Sequence, residues 1–237
     1  MAAKKGFRFI SSSWLKIIAA AAMVIDHGSV IFLGAESTVF RFIGRIAFPL
    51  YAFMIAEGAL RSKNKLKYAL RLLLFAFISE VPFDWGFHGV VFETESQNVF
   101  FTLLLGLLSV STYYWFRERK AGFVGIFTTI LYSFGAYFLR SDYDFMGVTV
   151  ITLMGVFLVS GGNVKTIGYG LSAAMTSLAL VPPLAVGFLP TQLYAVFSVI
   201  PLSLYNGKRG FRMNKYFFYI FYPAHILVLA LIKKYIS

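Results

Sequence analysis

The chain of 237 residues contains no cysteine. Disulfides, thiolate metal ligands and a cysteine nucleophile are excluded. Charge is scarce as well, at 14% of residues, where soluble globular proteins carry about 25%. Only 10 residues are acidic and 3 are histidine. No H-E-x-x-H stretch occurs, so a zinc protease is not indicated, and no metal is expected. No internal repeat, low-complexity tract or separate polar segment is visible, so residues 1–237 read as one domain.

What the chain has instead is apolar and aromatic surface. Hydrophobic residues make up 59%, aromatic residues 19%, and the mean hydropathy is +0.74. Apolar stretches of about 20 residues suffice to cross a bilayer as helices. Continuous runs, in place of alternating ones, favour helices over barrel strands. The expected fold is all-α: a polytopic integral membrane bundle of about nine transmembrane helices. They fall near 13–33, 39–60, 67–84, 98–116, 121–139, 146–162, 166–185, 188–206 and 216–234. A re-entrant segment around Pro182–Pro190 would alter that count. The start, with Lys4, Lys5 and Arg8, resembles a signal peptide. The apolar run behind it is longer than a signal core and eight more follow, so a retained first helix is expected.

The net charge of +12 comes from 22 basic and 10 acidic residues. In a soluble protein it would suggest nucleic acid. In a membrane protein, basic residues mark cytoplasmic loops. Placing the N-terminus in the cytoplasm puts on that side the N-tail, Arg61–Lys67, Arg117–Lys120, Gly161–Lys165 and Asn206–Lys215. The other side keeps Arg140, Lys233 and Lys234. The expectation is a multi-pass protein of a cytoplasmic membrane, surrounded by lipid, with no nucleic-acid partner.

Charges inside a span cost at least about 2.5–3.5 kcal/mol at the bilayer centre, so they mark functional candidates. Lys16 and His27 are 11 residues apart on the first helix. Three helical turns put them on one face, about 16 Å apart along the axis. Ala20 and Met23 lie between them. A cation at the mouth and an imidazole further in suit a long thin ligand with an anionic head. Asp26 lies about 100° round the helix and is not expected to orient His27 directly. On the second helix Arg41 and Arg45 share a face. They call for a carboxylate such as Asp26, or for an anionic ligand. Gly44 and Pro49 allow close packing and a kink there. Glu57 is expected to pair with Lys16 or with the Arg61–Lys67 loop. Arg71 is either a phosphate contact or a snorkelling side chain. Asn98, with Gln97 and Thr102, opens helix four on the outer side as a capping or acceptor-lining residue. Tyr222 and His225 flank Pro223 in the last helix.

Several stretches together carry a resemblance. They are Lys16 with Asp26-His27, Gly44-Arg45-Ile-Ala-Phe-Pro49 with Glu57-Gly58, Tyr68 with Arg71-Leu, and Ser79-Glu80-Val-Pro82. Late in the chain come Tyr205-Asn-Gly-Lys208-Arg209-Gly and Lys215-Tyr followed by Tyr222-Pro223-Ala-His225. The chain resembles the TraX family of bacterial membrane proteins over essentially its whole length. That resemblance implies acetyl-CoA-dependent acetylation, the family's named example acting on the N-terminus of a conjugative pilin. The family is similar in turn to the broader transmembrane acyltransferases. In those a basic residue and a histidine 11 apart on the first helix use a cytoplasmic acyl donor. Lys16 stands where arginine is common, and lysine is a point charge without the bidentate fork.

The resemblance implies an acetyltransferase using cytoplasmic acetyl-CoA and no metal, with an amine or hydroxyl acceptor on the outer side: a pilin-like N-terminus, a glycan or a lipid headgroup. His27 would be the general base or form an acetyl-histidine, with Asp26 and Arg45 beside it as further catalytic candidates and Arg45 on the oxyanion. Lys16, Arg41, Arg71, Lys208, Arg209 and Lys215 are the candidates for holding the donor. Glu57, Asn98, Tyr222 and His225 are the acceptor-side or supporting candidates. The competing classes are a transporter or flippase and a non-catalytic assembly protein.

Overall fold

The computed structural model describes residues 8–34, 38–159, 162–176 and 191–236. Among the described residues all regular elements are helical, and strand-like pairing is limited to the isolated bridges Ile10–Tyr205 and Gln97–Ser141. In chain order the helices are α1 (Ser12–Leu33), α2 (Thr38–Gly44), α3 (Ala47–Arg61), α4 (Lys65–His88) and α5 (Val99–Glu118). They continue as α6 (Gly122–Phe138), α7 (Asp144–Leu158), α8 (Gly162–Thr176), α9 (Val199–Ser203) and α10 (Phe217–Ile236).

Among the described residues four stretches are long and apolar enough to cross a membrane: Ser12–Leu33, Val39–Arg61, Val99–Glu118 and Phe217–Ile236. Gly122–Phe138, Asp144–Leu158 and Leu193–Ser203 are apolar but shorter. The architecture is thus an all-helical bundle with four full-length apolar spans, coarser than the nine crossings expected. One span needs correction. The expected helix at 188–206 is, where described, a 3-10 segment Thr191–Ser198 running into the short α9. The expected re-entrant stretch at 182–190 and residues 177–185 of the expected 166–185 span lie outside the described residues; the rest of that span falls in α8.

Helix boundaries follow local chemistry. Asn64 caps α4, accepting from the Lys67 N–H at 2.8 Å, and Asn98 caps α5, accepting from Phe100 at 3.0 Å. Gly89 ends α4 in the left-handed conformation. The expected second helix is split into α2 and α3 at Arg45–Ile46. Pro49 explains the split: it has no N–H to donate, and its ring crowds the carbonyl four residues back, which is that of Arg45.

The exterior is apolar. Leu66, Leu70, Leu74, Phe77 and Val81 of α4 are exposed, as are Phe123, Phe127, Ile130 and Phe134 of α6. Such three-and-four spacing makes continuous greasy faces, which in a membrane contact lipid. The interior carries small polar residues instead. Ser109 of α5 meets Thr129 of α6 at 3.1 Å and Thr152 of α7 at 2.8 Å. These hydroxyls join three helices where lipid offers no hydrophobic force between them. At one end of the bundle the segment after α9 is strapped to the start of α1. Ile10 N–H donates to Leu204, Asn206 N–H to Ile10, and Ser12 N–H to Lys208, at 2.9–3.0 Å. Ser13 Oγ donates to the Arg209 and Phe211 carbonyls, each at 2.8 Å. Gly210 at φ +83 permits this turn, since any Cβ there would strike Ser11 Oγ at 2.2 Å.

A histidine pair beside a polar cavity

The face of α1 that begins at Lys16 runs through buried Ala20 and Met23 to His27. α10 packs alongside and brings in His225. His225 Nδ1 lies 2.9 Å from the Phe221 carbonyl, and its Nε2 lies 2.8 Å from His27 Nδ1. The two imidazole planes lie within 17° of each other with centroids 5.0 Å apart, so the rings meet edge to edge through this contact. Phe221 stacks on the far side of His225 at 5.1 Å, and Phe87 meets His27 edge-on at 5.0 Å. The pair is clamped between rings.

Next to it stands an ion pair. Arg45, 5% exposed, reaches Asp26 through Nη2, at 3.0 Å to one oxygen and 3.1 Å to the other. The helix break at Pro49 and the absence of a side chain at Gly44 make this approach possible. A Cβ on Gly44 would lie 2.3 Å from the Asp26 Cβ. Breaking such a buried pair by removing one partner typically costs about 3–5 kcal/mol. Arg45 Nε is buried with no hydrogen-bond partner among the described residues. Asp26 is therefore held by Arg45 and not by His27.

His27 lines one cavity, and a second lies behind a shared wall. The larger, of about 310 Å³, is lined by Asp26, His27, Arg41, Arg45, Phe48, Phe87, His88, Ser96, Asp142 and Tyr143, among others. The smaller, of about 130 Å³, has Lys16 and Lys215 in its wall, with Met54, Tyr68, Leu72, Phe218 and Tyr219. Met23, Tyr51, Val99 and Tyr222 line both. Those four side chains form the partition between a cation-bearing, mostly apolar cavity and a polar one. Lys16 Nζ lies 5.7 Å from the Phe218 ring. Arg71 sits over Tyr68 and Tyr219, at 5.6 and 6.0 Å from their centroids, and its buried Nε has no partner among the described residues.

The structure brings His27, Asp26, Arg45, Tyr222 and His225 together. It gathers Lys16, Lys215 and Arg71 around the smaller cavity. Lys208 and Arg209 lie in the strapped segment that meets the start of α1. Arg41 is separated from these cations and stands on the wall of the histidine cavity. Glu57 is separate too. It accepts from Tyr205 Oη at 2.8 and 3.0 Å and pairs with Arg61 at 3.2 Å, beside a third cavity of about 100 Å³. Asn98 lies outside both walls. Besides capping α5 it donates to the Ala76 carbonyl at 2.8 Å and to Glu80, tying α4 to α5.

Sequence reasoning missed Tyr143, Phe48 and Tyr51 as wall residues. Tyr143, at φ +63, stacks on Phe48 with centroids 3.8 Å apart. The only signal for it was its place between two aspartates in the α6–α7 loop. Beside it, burial pushes the Asp142 carboxyl up to about 6, against the opposing pull of Arg45.

Apolar helices of membrane-crossing length around a buried polar centre define a helical membrane protein. The comparisons specify it further: the chain matches the TraX protein family over residues 11–233 and belongs to that family. It is also 31% identical over 247 residues to the probable fimbrial assembly protein FimC, serogroup H1, of Dichelobacter nodosus. That match covers 96% of this chain and 97% of the relative. No solved structure matches it.

Proposed function

We propose that this protein is a membrane-embedded acetyltransferase. It takes acetyl groups from cytoplasmic acetyl-CoA and places them on an amine or hydroxyl at the opposite side of a bacterial inner membrane. The observation that carries this reading is the shared partition. One helix face links the Lys16 cavity to the His27 cavity through Met23. The cation-rimmed cavity would take a pantetheine arm as far as the partition while the phosphates of CoA stay with Lys16, Lys215 and Arg71, since such contacts are charge-assisted. Lys208 and Arg209, strapped to the start of α1, add positive charge at the same mouth. This orientation puts the N-terminus in the cytoplasm. The multi-pass, acyltransferase-like arrangement belongs to the same reading.

His27 then faces the acceptor in the larger cavity. As the acceptor nitrogen or oxygen bonds to the thioester carbon, His27 takes its proton. The carbon–sulfur bond breaks, and the departing thiolate of CoA receives that proton from His27. Arg45, with Nε unspent, stabilises the oxyanion formed on the way. Asp26 holds Arg45 in place. Arg41, on the same wall, contacts the acceptor in this scheme and not the donor. Glu57 and Asn98 support the frame.

The relative's description as a fimbrial assembly protein favours a second reading, a non-catalytic assembly factor, and also makes a pilin-like N-terminus one acceptor class to test. A transporter remains the third class. Proteoliposomes loaded with acetyl-CoA separate them. Externally added N-terminal peptides, amino sugars or phosphatidylethanolamine should drive release of free CoA thiol in step with acetylated product. A transporter or scaffold releases none. Loss of CoA release in His27→Ala is required; near-normal rates there would overturn the catalytic assignment.

A further inference from the structure

We propose that His225 is a positioning residue that fixes the ring form of His27, leaving His27 Nε2 as the bare nitrogen available to the larger cavity. The function assigned to that nitrogen rests on the base role proposed above, whereas the ring form itself does not.

The argument starts at the backbone. A carbonyl oxygen only accepts hydrogen bonds, so the 2.9 Å contact to Phe221 requires hydrogen on His225 Nδ1. A neutral imidazole carries one ring hydrogen, so His225 Nε2 holds a lone pair. That lone pair sits 2.8 Å from His27 Nδ1, which must therefore donate. The single hydrogen of His27 is spent on Nδ1. Its Nε2 has no hydrogen-bond partner among the described residues, and His27 lines the cavity. A free imidazole in water favours the opposite form, with hydrogen on Nε2, which cannot accept a proton there. Removing the acceptor at 225 would return His27 toward that unproductive form.

The surroundings hold His225 to this task. Its ring stacks on Phe221 at 5.1 Å and meets His27 edge to edge, with centroids 5.0 Å apart. A buried carboxylate holds the histidine of a serine-protease triad in the same way. Here a neutral ring does the holding. The carboxylate next in sequence to His27, Asp26, is engaged by Arg45 at 3.0 Å. When His27 Nε2 takes the acceptor's proton, the new positive charge is shared across the Nδ1–H···Nε2 bond with His225 and passes back when CoA thiolate is protonated.

With three histidines in the chain, ¹⁵N ring labelling gives a spectrum that single variants can assign. The third, His88, contacts Ser96 Oγ at 2.9 Å through Nε2 and serves as an internal reference. In the folded wild-type protein both His27 and His225 should carry hydrogen on Nδ1. In His225→Phe, which keeps an aromatic ring against Phe221 and loses the acceptor, His27 should shift toward hydrogen on Nε2. In His225→Gln, whose amide oxygen replaces the lone pair, His27 should stay in the Nδ1 form. CoA-release kcat should fall about 10²-fold in His225→Phe, with the KM for acetyl-CoA unchanged, and recover partly in His225→Gln. Hydrogen on His27 Nε2 in the wild type overturns the proposal even if neither variant folds. A spectrum of His27 unmoved by His225→Phe overturns it as well. The predicted spectra in a protein that never releases CoA would uphold the ring form and overturn the base reading.

Discussion

Two of the polar regions inside this bundle are built differently. Between α5, α6 and α7 the polar groups are neutral hydroxyls. Ser109, Thr129 and Thr152 satisfy one another across 2.8–3.1 Å, and Tyr114 donates to the Gly155 carbonyl at 3.0 Å. None of these residues lines the three cavities described above. Between α1, α2, α3 and α10 the polar groups are ionic or titratable and border two cavities. Arg45 keeps a buried donor, Nε, unspent, and so does Arg71 of α4, which packs over Tyr68 and Tyr219 in the wall of the smaller cavity. Inside an apolar exterior, polar residues that saturate each other join helices. Those that keep valence beside a cavity are where a ligand gains most, because an unmade buried hydrogen bond is costly.

The largest test of that contrast is His27→Ala. It should lower CoA release by about 10²–10⁴-fold, the usual contribution of a general base, while the thermal transition and acetyl-CoA binding stay near wild type. Next is Gly44→Ala, where the new Cβ would lie 2.3–2.5 Å from Asp26 side-chain atoms. Overpacking of this kind costs about 1–3 kcal/mol, readable as a lower Tm, and loss of the Arg45 geometry should reduce kcat as well. Gly28→Ala is the control, since its Cβ would meet only Leu229, at 4.0 Å.

Acid sharpens the contrast at the loop edge of the histidine cavity. Burial raises the Asp142 carboxyl to about 6 from an ordinary value of 3.8. The folded state therefore holds more protons than the unfolded state across that window, and its stability should rise as pH falls from about 6 towards 4. Asp142→Asn should flatten this part of a Tm-versus-pH curve. The smallest effect is expected in the hydroxyl network. Thr152→Val should cost about 0.6 kcal/mol, the average for an interhelical hydrogen bond in a membrane, with CoA release unchanged. A large loss of activity there would dissolve the distinction between the two regions.

How much was legible in the sequence follows from the range of each interaction. The Lys16–His27 face needs only helical periodicity, so spacing revealed it. The Arg45 break follows from Pro49 four residues on, and the Asp26 partner from the need to neutralise two arginines at adjacent turns. The partner of His27 is 198 residues away, and no local pattern reports which helix α10 will meet. Charge alone also grouped Arg41 with the donor-side cations. Only packing shows that it faces the other cavity. Glu57 was expected near Lys16 or the following loop, and the observed pairing chose Arg61, one turn on, together with Tyr205 from the strapped segment. The eighth span failed because apolar composition does not distinguish a continuous α-helix from a 3-10 segment and a short helix in succession.

The central claim is that the two cavities divide one reaction, donor on the Lys16 side and base on the His27 side. Thermal stability of the purified protein with and without acetyl-CoA tests it most directly. Binding to the folded state should stabilise the wild type by about 2.7 kcal/mol at one hundred times Kd, raising Tm. His27→Ala should keep that rise, and Lys16→Glu should lose most of it. No rise in folded wild-type protein at millimolar acetyl-CoA, or a rise undiminished in Lys16→Glu, would contradict the account.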